Sequence, residues 1–230
     1  MIKRAQGPVI AIDGPSGAGK STIAKLLARR LKYAYIDTGA MYRAIGWKAT
    51  REGIDLADEH ALAELVSRTK VTFNGGSADP KVSVDGRDVS GEIRTPEMGM
   101  AASAVSRSKT VRARLLELQR ELGADGGVVM DGRDIGTVVF PDAEVKFYLD
   151  ATAEERGRRR YQELKEKGLD VELARITGEI AMRDLQDSRR DIAPLRKADD
   201  AILIDSSRLT VEEVLERMLG EIGSRRAGRV

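Results

Sequence analysis

Residues Val9 to Thr22 read VIAIDGPSGAGKST, and their reading decides the fold. Val9 to Ile12 is a short apolar, β-branched run, as expected of a strand buried on both faces. Gly14 to Ser21 then matches G-x-x-x-x-G-K-[ST] at every fixed position, and Thr22 to Leu31 continues with helical apolar spacing. Strand, glycine loop and helix are the context that this motif needs. Gly14, Gly17 and Gly19 let the loop curl from Pro15 onward so that successive N–H groups, from Ser16 through Ala18 to Thr22, face a polyphosphate. The helix N-terminus adds its partial positive charge. Lys20 can reach the β- and γ-phosphates, and the Ser21 hydroxyl suits Mg²⁺. The reading is a phosphate-binding loop; the open question is what receives the phosphate.

Outward from the loop, 230 residues with 41% hydrophobic and 33% charged content suffice for one α/β core with an insertion. The net charge is +2, from 39 basic against 37 acidic residues, which argues against wholesale nucleic-acid binding. With no cysteine, disulfides and thiolate metal sites are excluded, in keeping with a reducing cytoplasm. No stretch reads as a signal peptide or as a bilayer-spanning segment. The single histidine, His60, lies in a polar stretch and reads as solvated, so the chemistry falls to carboxylates, arginines, Lys20 and a metal.

Further along, Tyr33 to Asp37 predicts a second strand, leading into a helix to about Lys48 with Thr38 as its cap. A polar loop at a strand's C-terminal end is where open α/β sheets bind ligands, so Arg43 is a candidate anion contact rather than a solvated helix residue. Leu56 to Arg68 predicts another helix. Val71-Thr-Phe73, Val82-Ser-Val84 and the turn signal Asp85-Gly86 predict a small antiparallel meander inserted at about residues 70–95. Helices follow from Pro96 and over Lys109 to Leu122. Strands at Gly127 to Met130, Glu144 to Leu149 and Ala201 to Ile204 alternate with helices at Thr152 to Gly168, Val171 to Arg190 and Thr210 to Ile222. The pattern predicts an α/β fold: a five-stranded, parallel, doubly wound sheet with helices on both faces. The core would comprise residues 1–69 and 96–223 with a short helical lid at about 153–170, and 224–230 would be a frayed tail.

A phosphate loop alone does not separate kinases, GTPases, ATPases and transporters. The only asparagine, Asn74, is followed by two glycines, so no N-K-x-D guanine reader exists. Val128-Val-Met-Asp131 is a partial match to the acidic strand of a hydrolytic ATPase. A kinase is favoured by Arg43, Arg133, Arg156, Arg159, Arg183 and Arg190 in or beside predicted strand-end loops and charged helices. Moving a phosphoryl group onto an anionic acceptor crowds negative oxygens, and guanidinium forks hold them in line. For some members of the run Arg156 to Arg160, a solvated helix face is the competing account.

The segments GPSGAGKST, DTGAMYR, DVSGEIRT (Asp88 to Thr95), DGRDIGTVVFPDA (Asp131 to Ala143) and Arg190-Asp-Ile-Ala-Pro-Leu195 occur in that order. Together they resemble the bacterial cytidylate kinases, from about Val9 to Met218. The resemblance implies transfer of a phosphoryl group from ATP, with Mg²⁺, to CMP or dCMP, in a cytoplasmic monomer without nucleic-acid or membrane partners. It implies that Ser103, Arg112 and Asp134 surround cytosine, and that Arg43, Arg133 and Arg190 clamp the acceptor phosphate, with Ser16 beside it. It further implies that Arg183 and Asp187 hold the sugar hydroxyls, that Thr38 and Tyr42 belong to the same pocket, and that Arg156 and Arg159 cover ATP. The inserted meander would close over the monophosphate. Kinases for UMP or AMP, or a hydrolytic or non-catalytic module, are the alternatives.

Overall fold

All five residues of β1 (Val9–Asp13) are buried, and the strand lies at the centre of a parallel sheet. The computed structural model describes residues 4–74 and 80–227. After β1 come α1 (Lys20–Leu31), β2 (Ala34–Asp37), α2 (Thr38–Arg51) and α3 (Glu59–Ser67). A small sheet follows, β3 (Val71–Asn74), β4 (Lys81–Val84) and β5 (Arg87–Asp88), and then α4 (Pro96–Val105) and α5 (Lys109–Gly123). The chain closes with β6 (Val128–Gly132), β7 (Val145–Asp150), α6 (Ala153–Glu166), α7 (Leu173–Arg189), β8 (Ile202–Asp205) and α8 (Val211–Ala227). The large sheet has the order β2-β6-β1-β7-β8, and every pairing is parallel. This is the predicted five-stranded fold.

Alternation along β1 builds the two layers. Val9 and Ala11 join Met41, Ile45, Leu62, Leu65 and Leu115 beneath α2, α3 and α5. Ile10 and Ile12 join Ala24, Leu27, Val214 and Met218 beneath α1 and α8. The strand ends therefore come into register along one edge, with Asp13, Asp37, Asp131, Asp150 and Asp205 at or next to the last residues.

The small sheet is antiparallel, ordered β3-β4-β5, and turns at Asp85 and Gly86, with φ of 51° and 86°. That pair of positive values is what a tight hairpin needs. Its apolar side chains Val71, Val82, Val84 and Val89 share one core with α2, and Lys48 donates to Asp85 Oδ2 over 2.6 Å. The sheet is thus seated on α2. Helices α6 and α7 form a hairpin around Leu164, Ile176 and Ile180. Residues 75–79, in the loop between the predicted meander strands, lie outside the described residues.

Three boundaries differ from expectation. Asp37, not Thr38, caps α2: its carboxylate accepts from the Ala40 amide, while Thr38 Oγ1 donates to the Asp131 carbonyl over 2.8 Å. Helix α2 runs on to Arg51, because no breaker precedes Gly53. Helix α8 continues past Ile222 to Ala227, where Ser224 bonds back to the Gly220 carbonyl and Arg225 reaches the Asp200 carbonyl. The expected frayed tail is therefore helical through 227, and 228–230 lie outside the described residues.

Candidate active site

Along the C-terminal edge of the sheet runs a cleft of about 750 Å³. One end is the glycine loop. Gly14, Gly17 and Gly19 have φ of 149°, 77° and 89°, in the region that favours glycine, and a Cβ on Gly14 would sit 2.0 Å from the Leu149 carbonyl oxygen. Gly19 caps α1 with no side-chain partner, and no acidic residue occupies the first turn. The first amides of the helix are thus presented to an anion. Ser16, Gly17, Ala18, Gly19, Lys20, Ser21 and Thr22 all line the cleft; Gly14 and Pro15 lie behind it. Lys20 Nζ donates to the Pro15 carbonyl over 2.6 Å. Burial, then the nearby Arg133 charge, pull the Lys20 ammonium well below the usual lysine range.

Ser21 Oγ donates to Asp131 Oδ2 at 2.9 Å, and buried Tyr35 donates to Asp131 Oδ1 at 2.9 Å. A serine hydroxyl that donates inward keeps its lone pairs for a cation. Among the described residues no cluster of three or more His, Cys, Asp or Glu side chains could hold a metal. The oxygens of Ser21 and Asp131 fit a hard, largely hydrated divalent ion that takes its other ligands from phosphates.

The α6–α7 hairpin grips the loop from behind. Arg156 pairs with Asp184, donates Nη1 to the Ser16 carbonyl at 2.9 Å and Nε to the Ala151 carbonyl at 2.9 Å, while Asp184 accepts from the Ser16 amide at 3.0 Å. Arg156 is buried and does not line the cleft, so here it supports the loop from behind. Arg158, Arg159 and Arg160 do line it. Arg159 is held by Glu155 Oε1 at 2.8 Å and by Ser206, 3.0 Å to Oγ and 2.6 Å to the carbonyl.

The other end is made of side chains. Thr38, Tyr42, Arg43, Ser103, Arg112, Arg133, Asp134, Arg183, Asp187 and Arg190 all line the cleft, although they come from α2, α4, α5, α7 and the segments after β6 and α7. Arg43 Nη2 donates to Asp37 Oδ2 at 2.8 Å, and Arg133 Nε to Asp187 Oδ2 at 2.8 Å. Arg112 pairs with Asp134 and lies over the Tyr42 ring at 5.8 Å. Arg190 Nη2 approaches Asp134 at 3.9 Å, and Ser103 Oγ donates to Gln186 Oε1 at 3.2 Å. Buried Nε of Arg43, Nε of Arg183 and Nη2 of Arg190 make no hydrogen bond. Burial, then the charge of Arg133, bring the Arg183 guanidinium down to about 10. Although burial raises it, the Asp187 carboxyl is held below the usual range by Arg133, Arg183 and Arg190. So many cations with so few carboxylates make a pocket awaiting a multiply charged anion.

Several cleft residues escaped sequence reasoning. Asp37 and Arg94 lie inside the segments DTGAMYR and DVSGEIRT without having been given a role, and Ser106 and Ser206 carry no motif signal, whereas Asp131 was visible as the end of an apolar strand but pointed toward hydrolysis. Asp13 was passed over inside the motif stretch. Buried, its carboxylate accepts from the Ile135 amide at 2.8 Å and the Gly136 amide at 2.7 Å. Burial pushes its carboxyl up to about 7 against the pull of those amides.

The cytidylate kinase family model matches residues 10–224. A cytidylate kinase of Geobacter sp. strain M21 is 54% identical over 217 residues, 94% of this chain and 93% of its own. That of Bacillus subtilis strain 168 is 50% identical over 210 residues, 91% and 94% of the two chains. A crystal structure of an uncharacterised Eubacterium ventriosum protein superposes with a TM-score of 0.52 over 95% of this chain and 99% of its own, at 13% identity, and so shares the fold alone. With a family match over nearly its whole length and relatives at half identity, this chain belongs to the cytidylate kinase family.

Proposed function

We propose that this chain transfers the γ-phosphoryl group of ATP to CMP or dCMP, giving ADP and CDP or dCDP. The observation that carries the reading is the set of buried guanidinium nitrogens of Arg43, Arg183 and Arg190 that make no hydrogen bond, on arginines lining the same cleft as the glycine loop. An unpaired buried donor is costly, and a bound phosphate relieves it. ATP lies with its phosphates on the amides of residues 16–22, and Lys20 leaves the Pro15 carbonyl for the β- and γ-phosphates. Arg43, Arg133 and Arg190 hold the acceptor phosphate in line, with Ser16 beside it, while Arg183 and Asp187 take the sugar hydroxyls. Arg159 and the charged face of α6 cover the donor.

Transfer is direct. The acceptor phosphate is already ionised near pH 7, so no strong general base is needed, and His60 is exposed and remote from the cleft lining. Ser21, with Asp131 behind it, would hold Mg²⁺, which would supply charge neutralisation to the donor phosphates. The guanidinium forks and loop amides take up charge on the transferring group. Closure of the α6–α7 hairpin and of the small sheet excludes water, which would otherwise hydrolyse ATP.

Cytosine offers an N4 amino donor that Asp134 accepts, and O2 and N3 acceptors for Arg112; Ser103 lies at the rim. Uracil reverses the polarity at position 4 and at N3 and keeps only the O2 acceptor, a discrimination of about 1–3 kcal/mol per reversed contact. The reading takes a monomer acting on small molecules in the cytoplasm; no described helix is long and apolar enough to cross a membrane. A coupled assay of ADP formation with CMP, dCMP, UMP and AMP tests the reading. CMP and dCMP should be used at least tenfold more efficiently than UMP; equal use of UMP, or ATP hydrolysis independent of any monophosphate, overturns it.

A further inference from the structure

The strand-end carboxylates of the large sheet serve different partners. Asp37, Asp150 and Asp205 accept from amides one to three residues further along their own chain segment, and Asp131 accepts the hydroxyls of Ser21 and Tyr35. Asp13 differs. Both of its oxygens are taken by consecutive amides of a distant segment, Ile135 and Gly136. Asp13 immediately precedes Gly14, the first residue of the glycine motif, and the two amides immediately follow Asp134. One buried carboxylate thus bolts the root of the donor loop to the loop carrying Arg133 and Asp134.

The fit at this joint is tight. A Cβ on Gly136 would lie 3.0 Å from Lys146 Cδ and 3.4 Å from Asp13 Oδ2, so the loop rests directly on the carboxylate. Asp134, Lys20, Lys146 and Tyr148 surround it. Each oxygen has one donor, and replacing either oxygen with an amino group would set donor against donor.

We propose that Asp13 is a positioning residue for pyrimidine recognition, fixing Asp134 and Arg133 relative to Lys20 through the amides of Ile135 and Gly136. The inference rests on Asp134 and Arg112 reading the base. Asp13→Asn should raise the KM for CMP and lower the CMP-to-UMP ratio of kcat/KM, each by about tenfold, or about 1.4 kcal/mol. Binding of a non-hydrolysable ATP analogue, measured by calorimetry, should stay within about twofold, because the loop amides that hold it are untouched. Gly136→Ala strains the same joint from the other side without removing a buried charge, and should produce the same split. A merely structural role predicts a lower melting temperature with an unchanged CMP-to-UMP ratio. Folded variants that keep the wild-type ratio within about twofold overturn the proposal. If Asp13→Asn does not fold, Gly136→Ala decides alone. A wild type that uses CMP and UMP alike sinks the base-reading assignment itself, and the positioning role with it.

Discussion

The two ends of the cleft are made of different materials. The proposed donor end is main chain: residues 14–22, whose N–H groups, Pro15 apart, are aimed by three glycines with positive φ and by the start of α1. The acceptor end is side chain: guanidinium groups and carboxylates delivered by five separate parts of the fold. A main-chain site is specified by local spacing, and its sensitive positions are the positive-φ glycines and the lysine. A side-chain site exists only once the sheet has assembled, and each arginine removed takes several phosphate contacts with it.

The contrast can be broken most forcefully by truncating charge. Lys20→Ala should lower kcat by roughly 10³-fold or more with the fold intact, checked by steady-state kinetics and circular dichroism. Arg43→Ala and Arg133→Ala should each cost roughly 10³-fold in kcat/KM for CMP while leaving ATP-analogue affinity within about threefold. Unimpaired transfer in either arginine variant would remove the clamp.

Base reading is the next sharpening. Asp134→Asn should reduce the preference for CMP over UMP by about 10- to 100-fold, read as the ratio of kcat/KM values. Because Asp134 is paired with Arg112, the variant also frees a buried guanidinium, so its melting temperature should fall as well.

The joint between the ends has a pH signature. The Asp13 carboxyl is raised from 3.8 to about 7, chiefly by burial, with Asp134 adding to the rise and Lys20 opposing it. Between those values the folded chain retains a proton that the unfolded chain has lost, so this group's contribution to stability declines as pH rises toward 7. Relative to Asp13→Asn, wild type should lose on the order of 1–2 kcal/mol of unfolding free energy between pH 5 and pH 7 in chemical denaturation. A difference that grows with pH would contradict the assignment.

The smallest effect is expected on the lid. Glu155 holds both Arg158 and Arg159, so Glu155→Gln should loosen them and change the KM for ATP by only about two- to fivefold, with the KM for CMP unmoved.

How much was legible follows the same division. The strands around β1 and the glycine loop could be read from short-range pattern, since burial on both faces keeps their runs largely apolar, with Lys146 in β7 the exception. Arg43, Arg133, Arg183 and Arg190 stood out by their predicted positions, but their separate roles, and Ser103, Arg112, Asp134 and Asp187 themselves, were reached only through family resemblance, because no spacing predicts that Arg112 on α5 meets Asp134 after β6. The inward turn of Arg156 was hidden for a related reason. In a run of adjacent arginines, the one that turns inward is selected by Asp184 on α7, a partner 28 residues away. Asp37 outcompeted Thr38 as a cap because the Thr38 hydroxyl is engaged by the Asp131 carbonyl, a contact available only after β2 and β6 pair. Asp13 was hidden by its position inside a motif whose fixed residues drew the attention, and its amide partners lie more than a hundred residues downstream.

A crystal structure with CMP and a non-hydrolysable ATP analogue bound together tests the central claim most directly. The account predicts the analogue's phosphates on the amides of residues 16–22, the CMP phosphate between Arg43, Arg133 and Arg190, and cytosine N4 within hydrogen-bonding reach of Asp134. A CMP phosphate lying away from those arginines, with its base elsewhere than beside Asp134 and Arg112, would contradict it.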